Sequence, residues 1–271
     1  MISHHSFGST MTRLKKLILI TAFGLGFMSV GSTVPAGQMP FQLPFQPGEE
    51  LVFRIRWSFI PAGTAVLKVL EPDMINGRPA QHFELTVKSN RFVDQFYKVR
   101  SRIDGWTDMA VSHSILYKKR QDEGRHRRNV VVTFDWDAQT ARYIDYIGGE
   151  KRSAKLIPGA FDPLSAAYFF RTLKLEKNIE IVYPVSDGKK CVLGRGWVVK
   201  REKIKIKGTT YDTWVIVPEL KHVGGVFRKT ENAKIRLWIT ADHRHLPVRI
   251  TSKVVVGSFV GELIESSGLK D

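Results

Sequence analysis

Leu51-Val52-Phe53-Arg54-Ile55-Arg56-Trp57-Ser58 is the stretch that decides the fold. Leu51, Phe53, Ile55 and Trp57 fall on one parity, and Arg54, Arg56 and Ser58 on the other. Successive side chains of a strand point to opposite faces, so this pattern predicts a strand with one side in a core and the other in water. The same period recurs through the chain. Ile204 and Ile206 alternate with Lys203, Lys205 and Lys207. Ile235, Leu237 and Ile239 alternate with Lys234, Arg236 and Trp238, and Val248, Ile250, Val254 and Val256 with Arg249, Thr251 and Lys253. Half-wetted strands of this kind form antiparallel sheets. Asn76-Gly77, Asp122-Glu123-Gly124, Gly148-Gly149, Asp187-Gly188 and Gly208 supply turns at short intervals. About a dozen strands are expected, His113–Arg120, Arg127–Trp136 and Ala141–Ile147 among them. The predicted fold is all-β, a large curved antiparallel sheet or barrel.

One segment interrupts the alternation. Phe161 to Leu173 reads as a helix. Asp162 is a good N-cap, because its carboxylate can accept the free N–H groups of the first turn, and Pro163 suits the first helical position, where no N–H is needed. Leu164, Ala166, Tyr168, Phe169, Phe170 and Leu173 leave little of its circumference polar, so the helix must pack on the sheet or plug a barrel.

The chain has 271 residues, with 42 Lys and Arg against 26 Asp and Glu, for a formal charge of +16. That charge resembles a nucleic-acid footprint, but the N-terminus argues against one. After Met11, an alternative start to Met1, come Arg13, Lys15 and Lys16. An apolar run from Leu17 to Val30 follows, then Val34 and Ala36 as the small residues of a cleavage site. This is a secretory signal, too short to span a bilayer. The expected organisation is a cleaved signal over 1–36, an extended Pro-rich lead-in over 37–47, one β-rich domain over 48–265 and a tail over 266–271. The signal holds three of the cations and no acid, so 39 against 26 remain, or +13. The expected location is the periplasm. The expected partners there are a lipid or an anionic envelope polymer, with no nucleic acid and no transmembrane segment after cleavage.

Candidates for chemistry are few. A single cysteine, Cys191 in Cys191-Val192-Leu193, excludes an intramolecular disulfide and a cysteine-clustered zinc site, and reads as inert packing. Asp242, His243 and His245 precede Pro247 in a turn and are better suited to backbone capping than to metal binding. Ser165 lacks a Gly-x-Ser-x-Gly elbow. No catalytic residue, metal or cofactor is expected. The densest charge is Lys118-Lys119-Arg120 with Arg125, Arg127 and Arg128, two arms of one hairpin expected to project a single cationic patch. It reads either as protection of an edge strand or as contact with an anionic surface.

Several stretches resemble a bacterial exported family known as domain of unknown function 3108. They are Phe45-Gln46-Pro47-Gly48-Glu49-Glu50-Leu51-Val52-Phe53 with Trp57 and Ala62-Gly63-Thr64-Ala65, the helix start Asp162-Pro163-Leu164-Ser165-Ala166, and Trp238-Ile239-Thr240 with Asp242 and Pro247-Val248. Val256-Gly257-Ser258 and Glu262-Leu263 complete the set, in order, across about 45 to 265. Phe53 stands where Tyr is commoner in the family. The resemblance implies an envelope protein on a strongly curved sheet or barrel. It carries no catalytic residues, and it implies structural roles for Gly48, Gly63, Asp162, Pro163, Asp242 and Gly257. Three functions stay open. In the first, the curved sheet binds a lipid or other apolar ligand, with Trp57, Phe59, Tyr168, Phe169 and Trp238 as lining and Arg171 for a headgroup. The second is a structural or assembly module acting through a basic face. The third is an enzyme on envelope polysaccharide.

Overall fold

The computed structural model describes residues 42–219, 234–254 and 257–271. The signal segment, the first part of the lead-in and Val256 lie outside the described residues, as does the side chain of Val254. Fourteen strands are present, two more than the dozen expected. They are β1 (Glu50–Trp57), β2 (Ile60–Ile75), β3 (Arg78–Ser89), β4 (Val99–Asp108), β5 (Ser114–Glu123), β6 (His126–Asp135), β7 (Thr140–Asp145) and β8 (Lys151–Lys155) in the first part of the chain. β9 (Glu180–Ser186), β10 (Cys191–Ile206), β11 (Thr209–Pro218), β12 (Lys234–Thr240), β13 (Pro247–Val254) and β14 (Gly257–Ser267) follow. A four-residue helix, α1 (Arg91–Asp94), joins β3 to β4. A second helix, α2 (Pro163–Phe170), lies between β8 and β9.

All fourteen strands belong to one antiparallel sheet in the order β8-β7-β6-β5-β4-β3-β2-β1-β14-β13-β12-β11-β10-β9. Each strand pairs with its sequence neighbour, except at β1, which pairs with both β2 and β14. The chain therefore starts in the middle of the sheet, runs to one edge, crosses by α2 to the other edge and returns. β8 and β9 are the two edges, so the sheet is curved and open rather than a closed barrel. The edges are blunted as sheet edges commonly are. β8 carries exposed Lys151, Arg152 and Lys155, and β9 carries Pro184, whose carbonyl accepts from Phe161 N.

The largest core cluster lies under α2. It joins Phe83, Ile103, Tyr117, Val130, Val132 and Tyr143 of the first half to Phe161, Leu164 and Tyr168 of the crossing and to Val185 of β9. The described part of the lead-in, residues 42–47, packs on this core. Pro44 and Phe45 are buried, and the Phe45 ring meets Phe83 and Tyr168 edge-on at 5.5 and 5.3 Å. The turn from β9 to β10 enters the same space. A Cβ on Gly188 would lie 2.7 Å from the Val132 methyls, so the tip is pressed onto the inner face of β6.

α2 starts where the Asp-Pro pair puts it and ends three residues earlier than expected, at Phe170 with Arg171 as C-cap. The fully buried Asp162 carboxylate accepts from Leu164 N at 2.9 Å, Ser165 N at 3.0 Å and Ser114 Oγ at 2.6 Å. Ser114 lies at the start of β5, so the cap also fastens the helix to the sheet. Gly105 of β4 makes room for this contact, because a Cβ there would stand 2.7 Å from Ser165 Oγ.

Candidate functional site

The six residues offered as a ligand lining do not enclose one cavity. Arg171 is buried and saturated. Its guanidinium donates to Glu49 Oε1 at 2.5 Å and Oε2 at 2.9 Å, to Arg244 O at 3.0 Å and to Pro44 O at 3.3 Å. The Phe45 and Tyr168 rings flank it at 5.1 and 5.6 Å. These bonds engage four of the five guanidinium N–H groups of a side chain only 3% exposed, which leaves it closed to a headgroup, and a buried pair of this kind needs every one of those bonds. Tyr168 stacks on Phe83 at 4.0 Å, and its hydroxyl has no partner among the described residues. Phe169 packs between Phe161 and Tyr183. Trp238 is buried and donates to Glu202 Oε1 at 2.8 Å. Trp57 lies against Gly257, where a Cβ would come within 2.7 Å of its Nε1. Phe59 is at the tip of the β1–β2 turn, 85% exposed. Beside α2, Tyr168 and Arg171 of those six do line one cavity, with Leu51, Leu67, Phe170, Leu237 and Ile239, but its volume is about 20 Å³, room for about one water molecule.

The other residues of the family pattern sit at turns and close approaches. Gly48 has φ +88° in the turn before β1, and its N–H donates to Val69 O. A Cβ on Gly63 would meet Lys88 O at 2.1 Å, so only glycine lets β2 and β3 pass there. Asp242 accepts from Thr240 Oγ1 at 2.7 Å and from the Arg244 guanidinium at 2.8 Å. Burial opposes ionisation of Asp242, but those bonds win and hold its carboxyl below the ordinary range. His243 and His245 do not converge. His243 is exposed, and His245 Nδ1 lies 2.8 Å from Arg171 O.

The basic hairpin is divided by the pleat, which overturns the expectation of a single patch. The pairs Gln121↔Arg128, Lys119↔Val130 and Tyr117↔Val132 put Lys119 and Arg128 on the inner face with Tyr117 and Val132. Lys118, Arg120 and Arg127 are on the outer face, and Arg125 is in the turn. Nor does edge protection account for the run, since β5 and β6 are interior strands. Outside, Lys118 Nζ sits 5.1 Å above the Trp106 ring, and Trp106 stacks on His82 at 4.2 Å. His82 Nε2 is 3.0 Å from Asp104, which also binds Arg102. Arg127 pairs with Asp122, whereas Lys118 and Arg120 have no carboxylate in ion-pair range among the described residues.

Inside, Lys119 belongs to a polar group that the sequence reading missed. Glu123 is buried and accepts from Ser101 Oγ at 3.1 Å, and Gln121 is buried beside it. Burial pushes the Lys119 ammonium pKa down, helped by Arg128, and pushes the Glu123 carboxyl up. The signal was present in the shared parity of Lys119, Gln121 and Glu123 with the apolar Tyr117. Cys191 is half-buried, accepts from Ile157 N, and burial raises its thiol pKa, the mark of a quiet thiol. No helix among the described residues is long and apolar enough to cross a membrane.

No curated protein matches the chain. Among solved structures, it is similar to a β-barrel-like protein of domain of unknown function DUF1849 from Brucella abortus. That similarity has 9% identity and a TM-score of 0.53, and covers 85% of this chain and 100% of that one. A protein with a YmcC-like fold from Bacteroides fragilis aligns at 7% identity and TM-score 0.37, over 83% of this chain and 98% of that one. A hypothetical protein from Chlamydia trachomatis aligns at 9% and 0.36, over 84% and 91%. At such identities the first of these speaks for the fold alone, where it agrees with the curved sheet described above. The family model of proteins of unknown function DUF3108 matches residues 52–264, a span that takes in the sheet from β1 to β14 and the capped helix, and the chain belongs to that family.

Proposed function

We propose that this is an exported, non-catalytic binding protein of the cell envelope, resident in the periplasm, that holds an anionic envelope polymer against the outer face of β4–β6. The observation that carries this reading is the standing of Lys118 and Arg120. Both are exposed, neither faces a carboxylate in ion-pair range among the described residues, and both lie in interior strands where edge protection does not explain them. Trp106, itself buried, lies beneath Lys118, whose ammonium it helps to hold in place on the face. The N-terminal signal supports export.

The test is reversal of the outer cations only. The variant Lys118→Glu/Arg120→Glu/Arg127→Glu is expected to lose roughly tenfold or more in affinity for an acidic polysaccharide such as polygalacturonate, with its unfolding midpoint nearly unchanged. The variant Lys119→Gln, on the inner face, is expected to leave that binding intact. Equal binding by the outer-face variant and the parent overturns the proposal.

A further inference from the structure

One end of the sheet carries exposed aromatic rings among cations. That end holds the β1–β2 turn, the β3–β4 connection with α1, and the β5–β6 turn. Phe59 is 85% exposed, Phe92 58% and Phe96 51%. These rings are not loose ends. Ser58 holds the tip that bears Phe59 in a left-handed conformation, with φ 53°, and its N–H donates to Ser258 O. Asn90 caps α1 by accepting from Val93 N at 2.9 Å, while its own amide groups donate to Pro61 O and Ala62 O. That residue ties the two phenylalanine-bearing connections together. Phe92 and Phe96 meet edge-on at 5.7 Å. Gly124 N donates to Lys98 O at 2.8 Å, which joins the β5–β6 turn to the same rim.

The charge around these rings is one-sided. Arg91, Lys98 and Arg125 are exposed, and Arg91 and Arg125 form no ion pair among the described residues. The nearby acids are taken, Asp94 by Arg100 and Asp122 by Arg127. Large apolar groups held in water mark a contact surface. A contact built from separate protruding rings between cations suits a soft, negatively charged phase, in which rings enter the acyl boundary and cations stay at the headgroups.

We infer that this aromatic, cationic rim docks the protein on the surface of an anionic phospholipid bilayer, with the strands standing away from the membrane. The inference rests on the proposed function only for the location of the protein. It uses different residues from the glycan-binding face.

The test uses the exported chain and vesicles of mixed phosphatidylglycerol and phosphatidylcholine. Co-sedimentation is expected with these vesicles and not with phosphatidylcholine alone, and it should weaken as salt is raised. Phe59→Ser/Phe92→Ser/Phe96→Ser should lower binding roughly tenfold or more, and Arg91→Glu/Arg125→Glu should do the same with a shallower salt dependence. Circular dichroism and the unfolding midpoint check that both variants fold. Vesicle binding equal to the parent in both variants, or no binding by the parent, overturns the inference. So does a self-association of the parent that the phenylalanine variant abolishes, since the rim would then be an interface between copies. Loss of vesicle binding with polygalacturonate binding intact isolates the rim's failure from that of the proposed function, and the converse result isolates the outer face.

Discussion

The junction beneath α2 and the rim around Phe59 invert the usual distribution of side chains in opposite ways. At the junction, Glu49, Arg171, Asp162 and Ser114 are polar and buried, and each finds its partners within the chain. At the rim, Phe59, Phe92 and Phe96 are apolar and held in water, and the chain offers them little cover. The first arrangement completes itself, and its residues answer to stability. The second finds no such completion among the described residues, and under the inference drawn above its residues answer to binding. Side chains in these reversed positions say more about a protein than the greasy interior does.

The sharpest way to break the comparison is at Glu49. Removing its carboxylate in Glu49→Ala leaves the Arg171 guanidinium buried and uncompensated, and the expected loss is about 3–5 kcal/mol of unfolding free energy in urea. The double variant Glu49→Leu/Arg171→Met should recover much of it, because the charge leaves with its partner. If the single variant is as stable as the parent, the junction does not hold α2.

A smaller effect comes from pH at the same place. Burial and the nearby Arg171 cation depress the pKa of His245 below its ordinary 6.5. The folded state thus binds its proton less readily than the unfolded chain. Stability from this group is complete above pH 6.5 and is lost as pH falls from there through the lower folded value. Unfolding curves across that window should show a slope that His245→Gln flattens. An unchanged slope means that other groups control the acid limb.

The smallest effect is expected where the binding effect is largest. Phe59→Ser/Phe92→Ser/Phe96→Ser should move stability by about 0.5 kcal/mol or less per site, as for exposed positions generally. A loss of several kcal/mol would show that these rings are core after all, and the contrast between the two regions would collapse.

Much of the sheet was legible in the sequence, for a physical reason. The parity of Leu51, Phe53 and Ile55 is a local property of the strand, and Asp162-Pro163 is a local property of a helix start, so both survive into the structure. Pairing was less legible. Arg171 meets Glu49 across 122 positions, and no pattern near either residue announces the other. The Lys118–Arg128 run shows how a charge cluster can mislead. Proximity in sequence suggests one patch, but a strand sends alternate residues to opposite faces, so its members separate. The inner polar group of Lys119, Gln121 and Glu123 escaped notice because alternation was read as apolar-in, and here the inner row turns polar toward one end. Phe59 is expected from the sequence to line a cavity, whereas it stands 85% exposed at the tip of the β1–β2 turn. That its ring would point away from the interior depended on the turn at Ser58, which pattern does not reveal.

The pairing of β1 with β14 sets an order of assembly. Every other ladder joins strands adjacent in the chain and can form as a hairpin while the rest is still arriving. The β1–β14 ladder joins Glu50 to Ser267 and Trp57 to Phe259, residues separated by nearly the whole described chain. A chain delivered across a membrane from its N-terminus would present β1 first and leave one side of it unpaired until the last strand emerged. The exposed edge in the interval is the middle of the finished sheet, with Arg54 and Arg56 but no proline to guard it. In a chain so delivered the exposure would last until β14 arrived, and a lost C-terminal strand would open the sheet at its centre rather than trim its border.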